Sequence, residues 1–202
     1  MGEASRRKSE IQKLKSRESD WLTSLQGNAR TVAQVAIAAL NNIIVQHDLT
    51  GGCYNMAFFM REYLSRQHGI EVEMVVGWVT DDSWSGGMSH AWIEHNGKRT
   101  DISIWKTEFP EQQLPGAVII EDFEYRKGVA HYTYHRDLPK TARDYLDMAS
   151  QDAQVGLIYK KKDAEHCEMQ RLATDTDGAE QYFSRAPQEM KYESLASMLR
   201  GI

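Results

Sequence analysis

Residues 29–46 carry apolar side chains at helical spacing: Val32, Val35, Ala36, Ala39, Leu40 and Ile43 fall on one stripe, which predicts a helix with a single buried face. A second stripe, Met56, Phe59, Met60, Tyr63 and Leu64, follows Gly51-Gly52 and stops at Gly69, the residue type that ends helices in the left-handed conformation. Residues 71–80 then alternate and are rich in valine, the pattern of a strand. Residues 81–87, with Asp81, Asp82, Trp84 and Gly86-Gly87, read as a loop. Residues 88–95 and 98–105 flank Asn96-Gly97, the strongest short signal for a hairpin. Strand-like runs recur at 117–125 and 129–135. Pro139 opens a helix to about residue 151, and Pro187 opens another through Tyr192, Leu195, Met198 and Leu199.

The first 20 residues are polar, with only Ile11 and Leu14 as apolar anchors, and read as a frayed helix or arm. Residues 21–202 read as one domain, with a core at about 29–135 and a peripheral helical extension at 136–202. A chain of 202 residues, 41% hydrophobic and 26% charged, is long enough for one real core.

The formal net charge of -5 gives no overall footprint for nucleic acid. Basic clusters at Arg6, Arg7, Lys8, Lys13, Lys15 and Arg17, and at Lys160 to Lys162, read as solvated helix faces. No apolar run approaches the roughly 18 residues of a membrane span, and no apolar segment follows the basic start to make a signal peptide. Gly2 would suit myristoylation, but Arg6 stands where that motif wants Ser or Thr. The expectation is a cytoplasmic protein, in which the two cysteines, Cys53 and Cys167, are free thiols.

Candidate chemistry centres on Cys53, in the first turn of the second helix and on the same face as Met56 and Ala57. With Asn96-Gly97 as a two-residue turn, His95 pairs with Lys98, Glu94 with Arg99, Trp92 with Asp101 and His90 with Ser103. His90, Trp92, Glu94, Arg99, Asp101 and Ser103 then share one face. His90 and Asp101 become diagonal neighbours, with backbones about 7–8 Å apart and side chains within reach of each other. A slip of one residue would put them on opposite faces.

A free thiol with a pKa near 8.5 is mostly protonated at neutral pH, so a cysteine nucleophile needs help. A helix N-terminus supplies backbone donors and the positive end of the dipole, and an imidazolium at His90 adds a full charge. Asp101 would orient that imidazole and stabilise its charged form. First-turn amides at Cys53 supply half of an oxyanion hole. Each residue alone has a plainer reading: a small buried hydrophobe, a satisfied histidine, a strand carboxylate balanced by Arg99. Together, in that order and facing, they read as nucleophile, base and orienter.

Cys53, His90 and Asp101 are also zinc ligand types, but no Cys-x-x-Cys or His-x-x-x-His pairing accompanies them, and no metal or cofactor is expected. His131 and His135 read as one face of a strand, and His166-Cys167 as an inert polar stretch. Trp78 and Trp105 read as core, whereas Trp84 and Trp92 are expected near the site as substrate-pocket walls.

The glycine-glycine-cysteine helix start, the valine-rich strand, His90-Ala91-Trp92-Ile93-Glu94 and Asp101 together resemble the transglutaminase-like superfamily of papain-like cysteine enzymes. The resemblance spans residues 40–105, about a third of the chain. It implies a papain-like α+β core with the thiol helix on an antiparallel sheet, Cys53 as nucleophile, His90 as base and Asp101 as orienter. It also implies an oxyanion role for Gln46, which precedes the cysteine as a glutamine does in papain-like proteases. Where many members carry a tryptophan just before the aspartate, this chain has Lys98-Arg99-Thr100. The expected reaction is hydrolysis of a peptide or amide bond in a protein or peptide substrate, as peptidase, amidase or deamidase. The alternatives are transamidation to an amine and a non-catalytic peptide-binding or assembly module on the same fold.

Overall fold

The computed structural model describes residues 3–111 and 113–201, with the backbone alone for residues 3–11. Gly2 lies outside the described residues, and the side chains of Arg6, Arg7 and Lys8 are likewise not described. A first helix, α1 (Glu3–Ser24), runs four residues past the expected end of the arm. Its last turns have something to bury: Trp21 stacks on Phe123 with centroids 4.4 Å apart, and the Arg17 guanidinium lies 4.6 Å over the same ring.

The helix expected over residues 29–46 divides into α2 (Gly27–Ala39) and a π-helical turn, Leu40–Val45. The extra residue per turn keeps Leu40, Ile43 and Ile44 buried while turning two asparagines to partners. Asn41 Oδ1 accepts from Arg126, and Asn42 Nδ2 donates to the Met198 carbonyl. Helix α3 (Cys53–His68) starts and stops where its glycines dictate, with Gly69 left-handed at φ 64°.

Strands β1 (Glu73–Asp81) and β2 (Trp84–His95) pair antiparallel along nearly their whole length. The expected loop at 81–87 is therefore mostly strand. Asp81 caps the tight turn by accepting from the amides of Ser83 and Trp84, so only Asp82 and Ser83 lie between the strands. At the other end Asn96 and Gly97 both take positive φ, 51° and 76°, the conformation of a two-residue hairpin turn. Pairing follows as His95 with Lys98, Glu94 with Arg99 and Ile93 with Thr100.

The third strand is shorter than the apolar run suggests. It ends at Thr100 (β3, Lys98–Thr100), because Asp101 leaves the ladder to bridge Ile119, and the Ser103 amide turns back to Asp101 Oδ1 at 2.9 Å. The run at 117–125 is two strands, β4 (Val118–Ile120) and β5 (Phe123–Arg126), folded at Glu121 and Asp122 with φ 51° and 62°. Of the run at 129–135 only β6 (Thr133–His135) is strand, paired with the outer side of β1. The main sheet has the order β3-β2-β1-β6, and the fold is α+β.

The C-terminal region is not peripheral. Helices α4 (Lys140–Ala149), α5 (Ala153–Thr174), α6 (Gly178–Arg185) and α7 (Tyr192–Ser197, after a 3-10 turn Gln188–Met190) follow in order. Met169, Leu172, Phe183, Tyr192 and Leu195 join the same core as α2, α3 and the sheet. Among the described residues no helix is long and apolar enough to cross a membrane.

Candidate active site

Gly51 and Gly52 deliver the thiol by two different means. Gly51 is left-handed at φ 63°, reversing the chain after the π turn, and a Cβ on Gly52 would stand 3.0 Å from the Leu49 side chain. The helix then opens at Cys53 without a side-chain cap, leaving first-turn amides free of side-chain acceptors. Cys53 is half-buried; Cys167 is exposed; neither is in a disulfide.

Helix α3 packs on the sheet face formed by Met74, Val76, Ala91 and Ile93. His90 belongs to the opposite face, with Gly77 as its partner in the ladder. Cys53 lines a cavity of about 10 Å³ between helix and sheet, together with Trp92, Thr100, Asp101 and Ser103. From there it lies near enough to favour a charge on His90.

His90 and Asp101 are in contact, although the ladder ends at Thr100 and the expected pairs of Trp92 with Asp101 and His90 with Ser103 are not part of it. His90 Nε2 lies 2.6 Å from Asp101 Oδ2, and the residues are 4% and 2% exposed. Engagement of Nε2 makes Nδ1 the nitrogen that is not bonded to Asp101. Asp101 accepts from every side: its Oδ2 also takes the Tyr134 hydroxyl at 2.7 Å, and its Oδ1 takes the Ser103 amide and hydroxyl, each at 2.9 Å. Burial opposes both charges, but the mutual attraction and these hydrogen bonds prevail. The Asp101 carboxyl is held below the usual carboxylate range, and His90 is lifted above the usual imidazole value, by Asp101 first and by Cys53 second.

Trp92 is beside the site, as expected, with its ring stacked near His90 at 6.4 Å and edge-on to Tyr134 at 5.2 Å. Its Nε1 donates to Glu94 at 2.8 Å, and Arg136 ties Glu94 to Glu73, which fixes the indole. Trp84 sits instead at the far hairpin tip, edge-on to Tyr145 of α4. Gln46 is exposed at the end of the π turn, and no hydrogen bond joins its side chain to the site among the described residues. His135 bonds Thr80, and a second buried pair, His95 and Glu121, braces the turn end of the hairpin. No three His, Cys, Asp or Glu side chains are placed to hold a metal ion among the described residues.

Residues whose sequence pattern assigns them no role at the site complete it. Tyr134 and Ser103 hold the carboxylate. On the other face of β2, Ser89 bonds both Tyr54, the neighbour of Cys53, and His166 of α5. Ser89 stands beside His90 in the sequence, and that adjacency was the one available signal; nothing local distinguishes Tyr134 or His166.

Comparison with family models, curated proteins and solved structures returns no match. The reading of the site rests on its own geometry.

Proposed function

We propose that this chain is a thiol-dependent hydrolase of amide or peptide bonds, working through a Cys53 thioester on a papain-like, transglutaminase-like core. One observation carries the reading: a buried histidine with one nitrogen on a fully hydrogen-bonded aspartate and its charge favoured by a half-buried cysteine at a helix start. A structural His–Asp pair has no need of a thiol on its second side. Here the thiol proton would pass to His90 Nδ1, leaving a thiolate beside an imidazolium.

The thiolate attacks the carbonyl carbon, and the carbonyl oxygen takes the negative charge facing the first-turn amides of α3. Collapse of that intermediate breaks the C–N bond, and His90 returns its proton to the departing amine. Water then attacks the thioester, again giving its proton to His90, and releases the acid and the thiol. Asp101 stays ionised throughout and holds the ring. Trp92, pinned by Glu94, would form one wall for the substrate, a protein or peptide.

Iodoacetamide labelling at neutral pH tests the thiol directly. Cys53 is expected to label much faster than Cys167, although Cys167 is the more exposed, and His90→Ala is expected to abolish the difference. Equal slow labelling of both cysteines would sink the proposal. Mass spectrometry of lysate proteins treated with wild type or Cys53→Ala then reads the reaction: cleavage, a one-dalton deamidation or a crosslink each leaves its own mass.

A further inference from the structure

We propose that His166 is a positioning residue for the Cys53–His90 pair, acting from α5 through Ser89 and Tyr54. The inference rests on the thiol reading above and extends it to a part of the chain that reads as inert in the sequence.

Two sets of neighbours are joined across the same gap. Cys53 and Tyr54 are consecutive on α3; Ser89 and His90 are consecutive on β2 and point to opposite faces of the sheet. Cys53 lies near enough to favour a charge on His90, and the Tyr54 hydroxyl lies 2.5 Å from Ser89 Oγ. Ser89 Oγ in turn lies 2.5 Å from His166 Nδ1. His166 is 3% exposed and lies against Trp78, at 4.3 Å between ring centres, and Trp78 is the ladder partner of Ser89. A buried histidine so placed has one polar partner, Ser89, whose hydroxyl it can accept.

The direction of the chain follows from the proton inventory. Burial, which outweighs the nearby Asp163, holds His166 below its ordinary value, so its imidazole is neutral and Nδ1 can accept. Burial first, then the charges of Cys53 and Glu165, raise the Tyr54 hydroxyl, which therefore keeps its proton and donates. Ser89 has a single hydrogen. With His166 taking it, the serine lone pairs are committed to Tyr54, and the first turn of α3 is fastened to β2 one residue away from the reacting pair. Removing the acceptor frees the serine hydroxyl to rotate, and the thiol loses its fixed distance from the imidazole. Displacements near 1 Å at such sites cost about a hundredfold in rate.

The test is the pH profile of Cys53 alkylation by iodoacetamide, followed by peptide mass spectrometry on the full chain from pH 4 to 9. His166→Asn keeps an acceptor near the Nδ1 position; His166→Phe keeps a ring against Trp78 and has none. Wild type is expected to be alkylated at Cys53 much faster than at Cys167 at pH 6, and His166→Asn to match its Cys53 profile within about twofold. His166→Phe is expected to lose about tenfold in rate at pH 6, with the inflection of the profile moved. Tyr54→Phe, which leaves α5 untouched, is expected to shift the profile in the same direction and decides the matter should His166→Phe not fold. A packing role would lower the melting temperature without moving the inflection. The inference is overturned if the phenylalanine variants keep the wild-type profile, or if His166→Asn fails as badly as His166→Phe. Equal slow alkylation of Cys53 and Cys167 in wild type would overturn the thiol reading itself, and this inference with it.

Discussion

Tyr134 donates its hydroxyl to Asp101 Oδ2 at 2.7 Å, the same oxygen that His90 Nε2 approaches at 2.6 Å. Both donors stand on one face of the sheet, Tyr134 on β6 opposite Val79 and His90 on β2 opposite Gly77, while Asp101 follows β3. The tyrosine thus fixes the carboxylate that fixes the imidazole. Tyr134→Phe retains the ring against Trp92 and under Arg99, whose guanidinium lies 3.9 Å away, and removes only the donor. A hydrogen bond to a charged group contributes about 1.5–3 kcal/mol. The melting temperature is expected to fall by roughly 3–10 °C, by the usual scaling for a domain of this size. An unchanged melting curve would show that Ser103 and His90 suffice to hold Asp101.

The His90–Asp101 pair should also be visible in the pH dependence of stability. His90 is raised above its ordinary 6.5, so its contribution is complete below 6.5 and is lost as pH rises toward about 10. Asp101 is lowered below its ordinary 3.8, so its contribution is complete above 3.8 and is lost as pH falls toward about 2. Both are present between about pH 4 and 6.5. Asp101→Asn leaves a buried imidazole without its counter-charge, a change that costs about 3–5 kcal/mol in such pairs. Urea unfolding of wild type and Asp101→Asn is expected to differ most in that window, with the gap closing as pH rises from 6.5 to 10. A gap of constant size across that range would mean that the imidazole is neutral throughout.

The lysine run on α5 is expected to be energetically quiet. Lys162 pairs with Glu165 at 3.1 Å, with side chains 67% and 42% exposed, and Lys162 lies outside the core. Exposed pairs of this kind contribute about 0–1 kcal/mol and are screened by salt. Lys162→Ala should leave the denaturant midpoint essentially unchanged, in contrast to the Tyr134 and Asp101 variants. A loss comparable to theirs would require a role that the helix face does not display.

Cys53, His90 and Asp101 were legible in the sequence because each is fixed by a short-range rule. The glycine pair sets the helix start, the Asn96-Gly97 turn sets the register, and the period of two sets the faces. Where those rules lose their grip the reading fails. Thr100 ends β3 because Asp101 has a better partner in Ile119, eighteen residues on, which no local pattern announces. The fold at Glu121-Asp122 uses positive φ at residues that seldom adopt it, glutamate above all. Helix α5 inverts the usual cue: Leu157 and Ile158 are 71% and 64% exposed while His166 points inward, so periodicity conceals the residue that reaches the site. Tyr134 lies on a strand of three residues whose pairing spans more than fifty positions. Trp84, placed near the site by sequence proximity, stands instead at the opposite hairpin tip because β2 begins earlier than the glycines suggest.

Gly77 is the ladder partner of His90, and its lack of a side chain is what lets the site close around that strand position. A Cβ there would stand 2.4 Å from the His135 carbonyl oxygen and 2.7 Å from the Trp92 ring. The first obstacle is backbone, so β6 would have to move. The second is an indole held by Glu94 and backed by Tyr134. Gly77→Ala is therefore expected to cost about 1–3 kcal/mol, the range for overpacking a well-filled interior. It should also slow Cys53 alkylation at pH 6, since β6 carries Tyr134 and Tyr134 holds Asp101. Gly86→Ala is the control. A Cβ at Gly86 would meet the Trp84 ring at 2.3 Å, but that side chain is 37% exposed and can swing into solvent, so the loss should be smaller and the thiol profile unmoved. Equal effects of the two substitutions on Cys53 would mean that the strand position of Gly77, beside His90, has no special part in holding the pair together.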